Sequence, residues 1–248
     1  MPGSVTPTSP TVRVDGSVSA DERDCAEAMI GAVLAHHSGV IDDARLRVTG
    51  SPCAGGPGLV QVNLRVHGAP ARVQVPGRTV VEAISAAAAR LDRQVHRLAT
   101  AWEQWPWPDP ERRALGLPGG GTVARVKNVR LHVGMPCQAA STLSAMDYDV
   151  YLYTDAETGE DAVVYRSGPT GLCLARQRTM RPPSLRSALP LTVNPRKTSA
   201  MTVGQAAARL AEGWLPFVFF TDEPTGRGNL LYRRYDGQLG LVTPIEGA

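Results

Sequence analysis

The stretch Thr202–Pro244, TVGQAAARLAEGWLPFVFFTDEPTGRGNLLYRRYDGQLGLVTP, decides how the chain is organised. It reads as a helix, a strand over Phe217–Thr221, a turn at Thr225-Gly226, a second strand ending in Tyr232-Arg233 and a third strand carrying Leu239 and Leu241. Moved back by 67 positions, residues 201–244 fall without a gap on residues 134–177. Gln138-Ala139-Ala140 meets Gln205-Ala206-Ala207, Leu143 meets Leu210, and Thr154-Asp155 meets Thr221-Asp222. Thr158-Gly159 meets Thr225-Gly226, Tyr165-Arg166 meets Tyr232-Arg233, and Leu172 and Leu174 meet Leu239 and Leu241. These are 12 identities over 44 positions, and Val150, Leu152 and Tyr153 face Phe217, Phe219 and Phe220. One constant offset across a helix, a turn and two strands identifies two copies of one small module. About 45 residues with three short strands can hardly bury a core alone. The copies are therefore expected to pair with each other, through Val150, Leu152, Tyr165 and Leu172 on one side and Phe217, Phe219, Tyr232, Leu239 and Leu241 on the other.

Working back from the repeat, residues 11–100 carry a different pattern. Val12 and Val14 alternate with Arg13. Ser19 and Glu22 have the spacing of a capping box ahead of Met29, Ile30, Val33 and Leu34 at helical spacing. Ala44, Leu46 and Val48 alternate with Arg45 and Arg47, then Val60, Val62, Leu64 and Val66 with Arg65, then Ala71, Val73 and Val75 with Arg72. A long helix begins near Thr79, with Val81, Ile84, Ala88, Leu91, Val95 and Leu98 on one stripe. The order is β-α-β-β-β-α. Strict alternation buries one sheet face under the two helices and leaves Arg13, Arg45, Arg47, Arg65 and Arg72 on the wet face. The fold class expected is α+β: two helices on one face of a four-stranded sheet, followed by two tandem small α/β modules that form an intramolecular pseudo-dimer. Residues 1–10 read as a disordered Pro/Ser/Thr tail, 101–126 as a Pro/Trp/Gly linker and 127–180 as the first, degenerate module copy. Residues 181–197 read as a basic tether and 198–248 as the second copy. Trp102, Trp105 and Trp107 in the linker are expected to pack on a neighbouring domain.

Composition excludes several classes. The 248 residues hold 26 Lys+Arg against 23 Asp+Glu, and Gly 25 with Pro 20 mark joints rather than wholesale disorder. Lysine occurs only at Lys127 and Lys197, so the cations are planar guanidinium forks suited to phosphate. No apolar run is long enough to cross a bilayer, and residues 1–20 do not read as a secretory signal, so a cytoplasmic protein is expected. Cys25, Cys53, Cys137 and Cys173 are widely spaced and suggest no zinc or redox motif. His36-His37 reads as a C-terminal helix pair favourable to the dipole, not as ligands, so neither metal nor cofactor is expected. Gly119-Gly120-Gly121 lacks a following G-K-[ST], and no catalytic constellation or small-molecule site is visible. The chain does not read as an enzyme.

Three motifs of the second copy carry a family resemblance. The Phe217–Phe220 strand with its Thr225-Gly226 turn, Tyr232-Arg233-Arg234-Tyr235-Asp236-Gly237, and Gly240-Leu241-Val242-Thr243-Pro244 resemble the C-terminal domain of the long-form ribosome hibernation-promoting factors, also called sigma-54 modulation proteins. The β-α-β-β-β-α order is that family's too, and Arg90–Arg97 looks like its basic second-helix segment. Two C-terminal modules look like a variant of mycobacteria and their relatives. The first copy departs from the pattern: Ser167 replaces an arginine, and Pro169-Thr170 replace Asp-Gly. The resemblance implies an N-terminal domain lodged on the small ribosomal subunit near the mRNA and tRNA sites, inhibiting translation and preserving idle ribosomes in dormancy or stationary phase.

Charge by segment agrees with an RNA partner. No acid occurs between Glu111 and Asp147 or between Asp161 and Glu212, while Asp21, Glu22, Asp24 and Glu27 gather on the first helix. Arg90, Arg93 and Arg97 fall on one stripe of the second helix, beside His96. The residues expected to contact rRNA are Arg13, Arg45, Arg47, Arg65, Arg72, Arg78, Arg90, Arg93, His96, Arg97, Arg178, Arg181 and Arg186. Pairing of the repeats within one chain is expected to protect single ribosomes rather than join two. The competing reading is a stress-response adaptor that docks a protein partner in transcription or signalling.

Overall fold

The computed structural model describes residues 10–51, 55–100, 109, 121–168, 170–184 and 191–245. The tail, Cys53, most of the linker with its tryptophans, Pro169 and Arg186 lie outside the described residues. Two compact units form: one comprises residues 10–100 with Ala145–Asp147, the other residues 121–144 and 148–245.

In the first unit, β1 (Thr11–Asp15) leads to α1 (Ala20–His36). Three strands follow, β2 (Ile41–Gly50), β3 (Gly58–Val66) and β4 (Ala69–Gly77), and then α2 (Val80–Ala99). The capping box read from Ser19 and Glu22 is present in both directions, with Ser19 N–H donating to Glu22 Oε2 at 2.8 Å and Glu22 N–H to Ser19 Oγ at 3.2 Å. Sheet order follows the chain, β1-β2-β3-β4, with β1 parallel to β2 and the other pairs antiparallel. Both helices cover one face, and Ile30, Leu34, Leu46, Val48, Val60, Val62, Val73, Ile84, Leu91 and Val95 form the core between them and the sheet.

The second unit contains the repeat. Its elements are β5 (Val123–Val129), β6 (Val133–Gly134), α3 (Pro136–Ala145), β7 (Val150–Asp155), β8 (Asp161–Tyr165) and β9 (Cys173–Arg176). The chain continues through β10 (Thr192–Val193), β11 (Ala200–Met201), α4 (Val203–Glu212), β12 (Phe217–Asp222), β13 (Gly228–Arg233) and β14 (Leu239–Pro244). The 67-residue offset seen in sequence is preserved in hydrogen-bond register. Val150 opposes Tyr165 as Phe217 opposes Tyr232, and Val133 opposes Thr154 as Ala200 opposes Thr221. The matching Thr-Gly turns exist because Gly159 and Gly226 sit at φ +69° and +66°, where a Cβ is disfavoured.

The sheets are not each built from one copy. Their orders are β10-β9-β8-β7-β6 and β11-β12-β13-β14-β5. The strand ahead of the first copy completes the sheet of the second, and the strand ahead of the second completes that of the first. Arg125 and Val126 oppose Gly240 and Leu241; 67 positions on, Thr192 and Val193 oppose Cys173 and Leu174. Strands β5 and β10 lie in stretches that composition marked as linker end and tether. Neither has the regular alternation of a half-buried strand, because each is an edge strand held mainly by backbone bonds.

The two sheets also meet face to face, so each module's strands are buried on both sides. Their outer faces carry α3 and α4 over separate cores, one around Leu143, Tyr153 and Leu174 and the other around Leu210, Phe220 and Leu231. Between the sheets lie Leu152, Val163, Ala175 and Leu230, flanked by Leu131, Val150, Tyr165, Phe217, Phe219 and Val242. Val150, Leu152, Tyr165, Phe217 and Phe219 lie in this layer between the sheets. Leu172, Leu239 and Leu241 do not: they point to their own module's helix, because period two fixes alternation but not which face turns toward the partner. Tyr232 lies half-buried across Gly240, with the Lys127 ammonium of the exchanged strand 5.6 Å from its ring centroid.

One ion pair closes the rim of this interface. Arg227 donates through Nε and Nη2 to Asp161 at 2.8 and 3.1 Å, and Gly228 N–H donates to the same carboxylate at 2.8 Å. A Cβ at Gly228 would stand 2.6 Å from Asp161 Cβ and 2.9 Å from a ring carbon of Phe219. Gly228→Val should therefore push the sheets apart and cost about 1–3 kcal/mol. Urea unfolding followed by far-UV circular dichroism would show the midpoint falling; an unchanged midpoint would refute the close approach.

Candidate nucleic-acid interface

The open face of the first unit's sheet is set by strand register. One row across the strands reads Thr11, Arg45, Asn63, Arg72 and the next reads Arg13, Arg47, Gln61, Gln74. Arg65, opposite Asp43, extends the first strip toward the β3–β4 turn. Side chains directly opposite across strands lie about 5 Å apart at Cβ, so these guanidinium and amide groups form a continuous polar lattice. The alternation read from sequence placed Arg13, Arg45, Arg47, Arg65 and Arg72 on this face, and that is where they are.

Their partners differ. Arg47 Nε donates to Asp15 Oδ2 at 2.6 Å, and Arg13 Nε reaches Asp15 Oδ1 at 3.4 Å. Burial alone would raise the Asp15 carboxyl, but the two guanidinium groups, Arg47 above all, hold it below the ordinary 3.8. Arg13 and Arg45 keep 72% and 74% of their side chains in water. Arg65 is also exposed and donates to Gly68 O at 2.7 Å, which aims its fork along the β3–β4 turn. Arg72 is half-buried and donates to Met146 O at 3.0 Å. The acidic residues Asp21, Glu22, Asp24 and Glu27 lie on α1, across the sheet from this lattice. The unit is therefore basic on its open face and acidic on part of its helical side.

The second-helix stripe is a correction. Arg90 and Arg97 are buried, at 4% and 8% exposure, whereas Arg93 and His96 are exposed. Ala83, Ala87, Arg90, Gln94 and Arg97 form one buried line along α2, at alternating steps of four and three residues. Arg90 donates to both Asp147 oxygens, through Nε at 3.0 Å and Nη2 at 2.9 Å. Gln94 donates to Ala145 O at 2.9 Å and accepts from Arg97 Nη2 at 2.7 Å. Spacing showed that three arginines share a stripe; it could not show that a turn 50 residues later lies over it. Arg78 is exposed and paired with Glu82 one turn along, at 3.2 Å.

The acid-free arginine run is also partly neutralised from elsewhere. Arg176 is fully buried, with Nε 2.6 Å from Asp155 and Nη2 3.3 Å from Glu157, and it donates to Arg181 O at 2.8 Å. Glu160 accepts from Arg178 N–H at 2.7 Å and from the Thr179 hydroxyl at 2.7 Å, and Glu157 accepts from Ser184. Ser184 bonding lowers the Glu157 carboxyl; at Glu160 the bonds from Thr179 and Arg178 outweigh desolvation and lower it too. Arg178 and Arg181 stay exposed on a segment fastened by these acids. Tyr165-Arg166 and Tyr232-Arg233 also gain a structural meaning. Arg166 Nε donates to Tyr148 O at 3.1 Å and Arg233 Nε to Leu215 O at 2.9 Å, so each arginine braces the turn after its module's helix.

No helix among the described residues is long and apolar enough to cross a membrane. Comparison with known proteins places the chain in context. The family model for the C terminus of sigma 54 modulation/S30EA ribosomal proteins matches residues 120–174, which include the exchanged strand β5 and most of the first module. Two relatives, from the CDC 1551 / Oshkosh and H37Rv strains of Mycobacterium tuberculosis, are each 48% identical over 236 residues. The alignments cover 92% of this chain and 86% of each relative, and both relatives are named dormancy associated translation inhibitor. A solved ribosomal subunit interface protein from Coxiella burnetii aligns at 13% identity with a TM-score of 0.28, over 36% of this chain and 96% of that one.

Two measurements test this geometry. Asp147→Ala should cost about 3–5 kcal/mol by leaving Arg90 buried without its carboxylate, read as a lowered unfolding midpoint. Because the Asp15 carboxyl is depressed, its contribution is full above the ordinary 3.8 and is lost as pH falls through the lower folded-state value. Wild type should thus outlast Asp15→Asn at neutral pH and lose that margin in strong acid; a margin that grows on acidification would contradict the pairing.

Proposed function

We propose that this protein, which belongs to the sigma 54 modulation/S30EA ribosomal protein family in the branch of the dormancy associated translation inhibitors, is a cytoplasmic, non-catalytic ribosome hibernation factor. It inhibits translation by binding the small ribosomal subunit near the decoding centre and the mRNA and tRNA sites, and it preserves the idle ribosome. The observation that carries this reading is the open arginine lattice of the first unit. A flat array of guanidinium and amide groups, backed by a rigid sheet, suits RNA recognised by shape and phosphate rather than by base sequence. Arg13, Arg45, Arg47 and Arg65 are its centre; Arg93, His96, Arg78, Arg178 and Arg181 are exposed outlying contacts. Arg90 and Arg97 serve as internal supports for α2.

The second unit supports action on single ribosomes. The repeats are paired within the chain, and they have diverged so that unlike copies match. Asp161 of the first copy meets Arg227 of the second, and the residue of the first copy equivalent to Arg227 is Glu160. Two first copies would set Glu160 against Asp161. Two second copies would set Arg227 against Gly228, with no carboxylate. Like-to-like pairing between chains is thus disfavoured, while the tether holds the unlike copies at high effective concentration.

Co-sedimentation with purified ribosomes tests the first part. Arg13→Glu, Arg45→Glu and Arg65→Glu together should weaken binding by roughly a hundredfold or more, with wild-type binding also falling steeply with salt. Undiminished binding of the triple variant would overturn the lattice as the contact surface. An RNase-resistant association would favour a protein-docking adaptor. On sucrose gradients the factor should leave ribosomes as single particles; factor-dependent ribosome dimers would refute pairing in cis as the working state.

A further inference from the structure

We propose that His36, His37 and Asp92 form a binding site for a divalent transition-metal ion of the zinc class, on the helical side of the first unit. One imidazole nitrogen from each histidine and one Asp92 carboxylate oxygen all lie within 4.8 Å of one another. His37 Nε2 is already 2.8 Å from Asp92 Oδ1. Adjacent residues on a continuous helix point about 100° apart and cannot share a small ligand. Here His36 is the last helical residue and His37 is the C-cap, with φ −104° and ψ 21°, outside the helical region. That change of path brings the two rings to a centroid separation of 4.8 Å at 79° to each other.

The third ligand arrives from the middle of α2, which the core locks against α1 through Ile30, Leu34, Leu91 and Val95. Only 12% of the His37 side chain is exposed, so its ring is held in place, while Asp92 keeps 53% of its side chain in water and can adjust. Tetrahedral ligands of a 2.0–2.2 Å metal stand roughly 3.5 Å apart, so small rotamer shifts at the two exposed groups close the set. Two imidazoles and one carboxylate select zinc, cobalt, nickel or copper over magnesium or calcium, which take oxygen ligands. Three protein ligands leave a fourth position to water. The ion would tie the C-terminus of α1 to α2 across the sheet from the arginine lattice, so it would stabilise the unit without occupying the RNA face.

Titration of the reduced, chelator-treated full chain with Zn²⁺ by calorimetry tests this. One ion should bind per chain in the micromolar range, and the thermal midpoint should rise with Zn²⁺. His36→Ala and Asp92→Ala alter exposed groups and leave the core intact; each should weaken binding roughly tenfold or more and remove the thermal shift. Absence of binding to the wild-type chain, or wild-type affinity in the double variant, which would place the ion on the cysteines or other histidines, would overturn the proposal.

Discussion

A four-stranded sheet backed by one ten-residue helix leaves its second face in water, and covering that face is the constraint on which the C-terminal half depends. Both modules meet it by turning their open faces to each other around Leu152, Val163, Ala175 and Leu230. Exchange of β5 and β10 then makes each sheet incomplete without the other copy's leading strand. Face burial supplies the hydrophobic term, while strand exchange supplies backbone pairing at edges that would otherwise be open to association. The cost is loop-closure entropy, because β5 pairs with β14 more than a hundred residues away.

That closure explains how the repeats diverged. Positions that fold a module stayed alike: the Thr-Gly turn, the leucines over the helix and the arginine that braces the post-helical turn. Positions that face the partner differ between the copies, apart from the shared tyrosine at Tyr165 and Tyr232. Val150 stands where the second copy has Phe217, and Glu160-Asp161 stand where it has Arg227-Gly228. The contact of Tyr165 with Phe217, ring centroids 5.3 Å apart, therefore has no aromatic counterpart at Tyr232. The interface resembles a two-fold dimer in backbone and a specific heterodimer in side chains.

The first unit resolves a different conflict. Its arginines and acids nearly cancel in number, yet they are unevenly distributed, with five arginines against Asp15 and Asp43 on the open sheet face. Arg13, Arg45, Arg47 and Arg65 remain on the open face, Arg90 and Arg97 go inside as supports, and four acids stay on α1. A count of charge is therefore a poor guide to its field; strand register and helix phase sort it. The same holds for the acid-free run, where Arg176 is neutralised by Asp155 and Glu157 from an earlier hairpin.

Local pattern was enough for whatever depends on nearest neighbours. The capping box at Ser19, the alternating strands with arginine outward, the positive-φ glycines of both turns and the repeat itself are all written in spacings of two to seven residues or in one constant offset. Whatever depends on elements far apart in the chain was not legible. Asp147 over Arg90, Asp92 beside His37, the face to which Leu172, Leu239 and Leu241 turn, and the crossing of β5 and β10 were decided by tertiary packing. The reason is physical: a side chain's period is set by its own backbone, but its partner is set by whichever distant element buries the same surface. The repeat could therefore announce two modules that need cover, and only the folded chain could show that they cover each other by trading strands.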